Sequence, residues 1–150
     1  MVFAGRERHA SARYHNLGYP TRALRTKDFL YIRNFRPERW PAGDPCAIDK
    51  NGKTGAMHSA YHDIDQCPAW DFIVANRDDR EIYPYFLKAA GKRPYEELYN
   101  VSSDPGCLHN LIGNGKYTEK LNNLRKEMDK LLKKTKDTRY LDDHTQDDIW

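Results

Sequence analysis

Apolar and polar positions alternate most densely over residues 19–34, YPTRALRTKDFLYIRN. Leu24, Phe29, Leu30, Tyr31 and Ile32 are strand formers set among Thr21, Arg22, Arg25 and Arg33. The polar break RTKD at 25–28 divides them, which predicts a β-hairpin with one apolar and one charged face. Two registers are open. A two-residue loop Thr26-Lys27 gathers Thr21, Ala23, Leu30 and Ile32 on a clean apolar face, but lacks the Gly or Asn that primed turns want. A three-residue loop places Asp28 in the left-handed region, which Asp tolerates, and leaves the faces mixed. Two strands are marginal alone, so the pattern calls for more strands and a cover.

The flanking segments supply them. Residues 1–4, MVFA, read as the end of a strand, and a chain opening in mid-strand is expected to be a piece of something larger. Residues 35–67 form a long irregular loop, rich in Pro, Gly, Asp and Asn up to 55, with Trp40 pinning it to the body. Asp65 is the expected cap of a helix starting near Pro68, with Trp70, Ile73 and Val74 on its buried side. A second helix is expected over about 79–90, ended by Gly91, so 68–90 holds two short helices. EELYN at 96–100 is a further strand, and Ser102 to Gly106 make a turn.

The strongest periodicity comes last. From Asn114 as N-cap, Tyr117, Leu121, Leu124, Met128, Leu131 and Leu132 fall on one stripe of a helix over 116–134. Its simplest role is to cover the sheet. Burying four such aliphatic side chains contributes about 6–12 kcal/mol before entropy is subtracted. The fold class is therefore α+β: a small antiparallel sheet of about four strands under a long C-terminal helix. The tail 137–150, with five Asp and one Arg, is expected to be loose.

Composition narrows the function. The chain has 150 residues, 31% of them charged, and ten Tyr and three Trp supply much of its apolar area. With a mean hydropathy of −0.94, one modest core is expected. No run approaches a membrane span, and MVFAGRERH lacks the apolar stretch of a signal peptide. Net charge is +3, yet residues 1–39 hold nine Lys/Arg against three Asp/Glu, and eight of the nine are Arg. Arg suits phosphate, sulfate and carboxylate, but a solvated basic face explains the same bias. Three cysteines without CxxC make zinc and a disulfide framework unlikely choices for this sequence. His58 and His62 have metal-binding spacing, but MHSAYHDID has no helical stripe and no third ligand, so no metal is expected.

Taken in order, GRERH at 5–9, NLGYPTRALRTKDFLYIRNFRPERWPAGDP at 16–45, AYHDIDQCP at 60–68 and FLKAAGKRPYEELYNVSSDPGCLHNLIG at 86–113 resemble the C-terminal region of sulfatases. The resemblance is to the sulfamidase (N-sulfoglucosamine sulfohydrolase)-like branch and covers nearly all the chain. One departure is Asn100, where the strand motif usually has Asp. The resemblance implies a C-terminal subdomain, residues 1–136, abutting an alkaline-phosphatase-like catalytic domain. There a formylglycine nucleophile and a calcium ion act on a sulfated carbohydrate, and the parent is periplasmic, extracellular or lysosomal. None of CAIDK at Cys46, CPAWD at Cys67 or CLHNL at Cys107 fits the formylglycine motif, so no catalytic residue and no cofactor are expected in this piece. What it implies here is a pocket rim within 1–18 and 61–65: Arg8 and His9, then Tyr61 and Asp63. The competing expectation is a free-standing basic module that binds polyanions, although no nucleic-acid-binding signature is present.

Overall fold

The computed structural model describes residues 1–141, which form two compact units interleaved along the chain. The first takes Met1–Glu7, Pro20–Arg36 and the residues from Pro94 onward; the second takes Arg8–Tyr19 and Pro37–Arg93. No described helix is long and apolar enough to cross a membrane.

The first unit is α+β. Strands β1 (Val2–Arg6), β2 (Thr21–Arg25), β3 (Phe29–Asn34) and β4 (Glu96–Asn100) make one sheet in the order β1-β2-β3-β4. All neighbours are antiparallel. The pairs Phe3↔Leu24, Leu24↔Tyr31 and Tyr31↔Leu98 set one row of side chains across it. A helix over Thr118–Lys134 lays Leu121, Leu124, Met128 and Leu132 into the same core, as its apolar stripe requires. It begins after a 3₁₀ turn at Gly115–Tyr117, where the Asn114 side chain accepts from the Lys116 N–H.

The hairpin takes neither expected register. Thr26 closes it against Phe29, with Thr26 N–H to Phe29 O at 2.8 Å and Phe29 N–H to Thr26 Oγ1 at 2.9 Å. Lys27-Asp28 is thus the loop, and neither residue is in the left-handed region. The buried face is Arg22, Leu24, Tyr31 and Arg33, not the cleaner apolar set of Thr21, Ala23, Leu30 and Ile32. Both arginines are neutralised where they are buried. Arg33 donates to Asp129 at 2.6 Å, and Arg22 is bound by Glu7 and Asp137. Arg139 also holds Glu7, at 2.5 Å. Asp137 precedes a short helix at Thr138–Leu141 that contains Arg139, so the segment expected to be loose begins in structure. Residues 142–150 of that tail lie outside the described residues.

The second unit is built around Ala42, Tyr61, Trp70, Phe86 and Ala90, with Trp40, Ile64, Ile73 and Val74 packed against them. Numbering the helices in chain order, α1 is Pro68–Ala75 and α2 is Tyr83–Ala90; the long helix is then α3 and the short one α4. Cys67, not Asp65, occupies the N-cap of α1 and offers no side-chain bond. Pro68 follows it, where a missing N–H costs nothing. α2 starts later than its periodicity suggests, because the Asp79 side chain accepts from Glu81 N–H at 2.8 Å and turns the chain first.

Candidate functional site

Three stretches of the second unit are tied by backbone hydrogen bonds: Asp44 N–H to Ala12 O at 2.9 Å, Tyr61 N–H to Asp44 O at 2.9 Å, and Asp63 N–H to Ala42 O at 3.1 Å. Gly43 permits the crossing. Its φ is +94°, and a Cβ there would sit 2.9 Å from both Ala12 Cβ and Ala12 O. The clasp brings the 8–13 loop against the 60–64 loop.

All four expected rim residues, Arg8, His9, Tyr61 and Asp63, lie in these two loops. The Asp63 side chain, 8% exposed, has Oδ1 3.4 Å from His9 Nδ1 and Oδ2 3.4 Å from Arg13 Nη2. The contact with His9 is an ion pair when the imidazole is protonated. The His9 side chain is 68% exposed, so one ring nitrogen lies near a buried carboxylate while the rest faces water. Arg8 donates Nη1 to Asn16 O at 3.3 Å. Its acceptor belongs to a turn in which His15 (φ 53°) and Asn16 (φ 58°) are consecutive left-handed residues.

Arg13 is the residue that sequence reasoning missed. Its buried guanidinium donates Nε to Trp40 O at 2.9 Å and Nη2 to Pro41 O at 2.6 Å, and lies 5.5 Å from the centroid of the Tyr19 ring. It joins Asp63 to the start of the long loop and so fixes the base on which His9 rests. An Arg in a polar loop carries no local signal of this.

Tyr61 belongs to the core of this unit. It is 1% exposed, at the centre of Trp40, His58, Trp70 and Phe86. Its hydroxyl lies 2.7 Å from His58 Nδ1. Burial pushes the Tyr61 phenol up to about 12, while burial and the Arg77 charge lower His58. A phenol that stays protonated can therefore donate to a neutral imidazole. Among the described residues no group of three His, Cys, Asp or Glu is placed to hold a metal ion.

The arginine-rich first third is also not one free basic face. Arg13, Arg22 and Arg33 are buried and bonded, and Arg39 donates to Gly18 O at 2.9 Å. Arg8 and His9 are the other basic side chains of the 8–13 loop.

No protein-family model matches the chain. The chain is similar to the ulvan-active sulfatase of Formosa agariphila, with 34% identity over 111 residues. The match covers 74% of this chain and 16% of that protein, so the chain spans about a sixth of its relative. The four-stranded sheet under a long helix is consistent with a sulfatase C-terminal subdomain.

Proposed function

From this homology to part of a sulfatase, we propose that the chain is the C-terminal subdomain of an enzyme that hydrolyses sulfate from sulfated carbohydrate. In this reading the nucleophile, a formylglycine, and the calcium ion belong to a catalytic domain N-terminal to this piece. The chain itself contributes binding. The observation that carries the reading is His9 next to Asp63 and beside Arg8, in the GRERH segment: two groups suited to a sulfate or carboxylate, above a base fixed by Arg13. Asp63 acts by positioning, and Tyr61 by packing. The finer assignment, to the sulfamidase-like branch with an N-sulfated sugar, rests on the order of the motifs. The relative is named for ulvan, which favours a polysaccharide as the sulfated substrate.

Full-length parent enzyme tests both levels. Arg8→Ala or His9→Ala should lower kcat/KM by about 1.5–3 kcal/mol, mostly through KM, the range for hydrogen bonds to charged groups. Melting temperature should barely move. Normal kinetics with a lowered melting temperature would instead make the pair a loop brace. Turnover of N-sulfoglucosamine against an O-sulfated ulvan oligosaccharide decides the branch. The 150-residue chain alone should hydrolyse neither, with or without added calcium.

A further inference from the structure

The second unit contains a cleft of about 460 Å³ that none of Arg8, His9, Asp63 lines. Its wall includes Trp40, His58, Arg77, Tyr83, Phe86 and Lys92. That volume falls in the range of ligand sites, about 300–1,000 Å³. Phe86 is buried and Tyr83 is 49% exposed, so aromatic surface is present both deep in the cleft and at solvent. Lys92 Nζ lies 5.4 Å from the Trp40 ring centroid. Arg77 donates Nη1 to Val74 O at 2.8 Å, which fixes the guanidinium against the end of α1. Its other nitrogen, Nη2, is 3.7 Å from an Asp78 carboxylate that is itself almost fully solvated. A surface pair of that kind is weak, so an incoming anion can compete for Arg77 at little cost.

The combination selects a ligand class. Flat aromatic faces match the C–H face of a pyranose ring, which is apolar on that side and polar at its rim. Two cations beside those faces match an anionic substituent. We propose that this cleft is a subsite for a sulfated sugar unit, with Tyr83 and Trp40 taking the ring and Arg77 and Lys92 taking the sulfate. The inference extends the sulfated-carbohydrate reading to a second site on the same unit, where substrate is held without being cut. A long sulfated chain would then be gripped at a place separate from the Arg8–His9 rim.

The test is heteronuclear NMR titration of the 150-residue chain with a sulfated ulvan tetrasaccharide, its desulfated counterpart, and inorganic sulfate. The sulfated sugar should shift the resonances of Trp40, Tyr83 and Lys92. The other two probes should each bind roughly tenfold more weakly or worse. Arg77→Gln, Lys92→Gln and Tyr83→Ala should each weaken the sulfated sugar by roughly tenfold, with folding checked by an unchanged Trp70 signal. Arg8→Ala should leave this titration as it is. Equal affinity for the sulfated and desulfated sugars, or for inorganic sulfate alone, overturns the proposal. So do shifts outside the cleft, variants that bind like wild type, or sensitivity to Arg8→Ala. Failure of the rim reading shows separately, in the full-length kinetics of Arg8 and His9 variants, which do not touch the cleft.

Discussion

Arg22 and Asp137, 115 residues apart, meet as a two-pronged pair: Nε to Oδ2 at 2.7 Å and Nη2 to Oδ1 at 2.9 Å. The Arg22 side chain is only 7% exposed, and Glu7 takes Nη2 as well, at 2.5 Å. Planar guanidinium against carboxylate in this arrangement is directional as well as strong. It lets a cation sit on the covered face of the sheet, and it ties the residues after α3 back to β2.

Gly5 leaves room for that guanidinium. A Cβ at position 5 would lie 2.8 Å from Arg22 Cδ and 2.9 Å from Arg22 Nε. Gly5→Ala should therefore displace Arg22, and breaking a buried pair costs about 3–5 kcal/mol. In an Arg22→Ala background the same change should cost much less. Urea denaturation of the two single variants and the double variant measures the coupling, expected at about 1–3 kcal/mol. Additive costs would show that the close approach is irrelevant to stability.

Glu96 gives the sheet a pH dependence. Hydrogen bonds from Arg125, opposed by partial burial and helped by the Tyr31 hydroxyl, hold its carboxyl below the ordinary value of 4.5. A depressed folded pKa means stability that is present above the unfolded pKa and is lost as pH falls through the folded one. Glu96→Gln should then be less stable than wild type at pH 7. The gap should narrow as pH drops below about 4.5 and the wild-type carboxylate is protonated. Melting curves from pH 7 to pH 3 would show it; a gap that stays constant would assign the loss to packing.

The α3 seam should be sensitive in proportion to burial. Met128 is fully buried in the sheet core, so Met128→Ala should cost about 2–5 kcal/mol. Leu124→Asp places a charge without a partner in the same core and should unfold the unit. Lys130→Ala, on the outer face, should change stability by less than about 0.5 kcal/mol. Chemical denaturation orders the three, and a wild-type melting temperature for Leu124→Asp would move α3 off the sheet.

Gly43→Ala tests the clasp beneath His9. The position combines a left-handed φ of +94° with contacts of 2.9 Å to Ala12. The substitution should destabilise the second unit by more than about 1 kcal/mol, beyond the usual range for a Gly→Ala change that fits. It should also loosen the 8–13 loop, read as faster amide exchange at Ala12 and Asp44. Unchanged exchange there would mean that the loop is held by Arg13 alone.

Some of this was legible along the chain and some was not, for physical reasons. Leu121, Leu124, Met128 and Leu132 repeat at helical spacing, so α3 and its buried side follow from local pattern. Leu98 flanked by polar residues in EELYN marks β4 in the same way. The hairpin register was hidden because its buried arginines become tolerable only through Glu7, Asp129 and Asp137, whose proximity is tertiary. A binary pattern sorts Arg22 and Arg33 outward, and the ion pairs reverse that choice. In the site, His9 stood out beside Arg8, but Arg13 did not, since its main partners are backbone carbonyls of Trp40 and Pro41. Tyr61 was expected at the rim from the resemblance alone; the rings that bury it come from 40, 70 and 86.

The interleaving of the two units has a bearing on how such a protein can change. Both excursions of the second unit leave from and return to adjacent strands: Arg6 is paired with Thr21 across the first, and Arg33 with Glu96 across the second. The ladder therefore anchors the mouth of each excursion, whatever its contents. Closure entropy grows only slowly with loop length, so residues can be added or exchanged inside 8–19 or 37–93 with little penalty to the strands that frame them. Arg8 and His9 lie within the first of these inserts and the aromatic cleft within the second. Sequence change can thus accumulate in the inserts while the scaffold's hydrogen-bond register stays as it was, and a graft of both inserts onto a related sheet would carry the Arg8–His9 loop and the aromatic cleft with it.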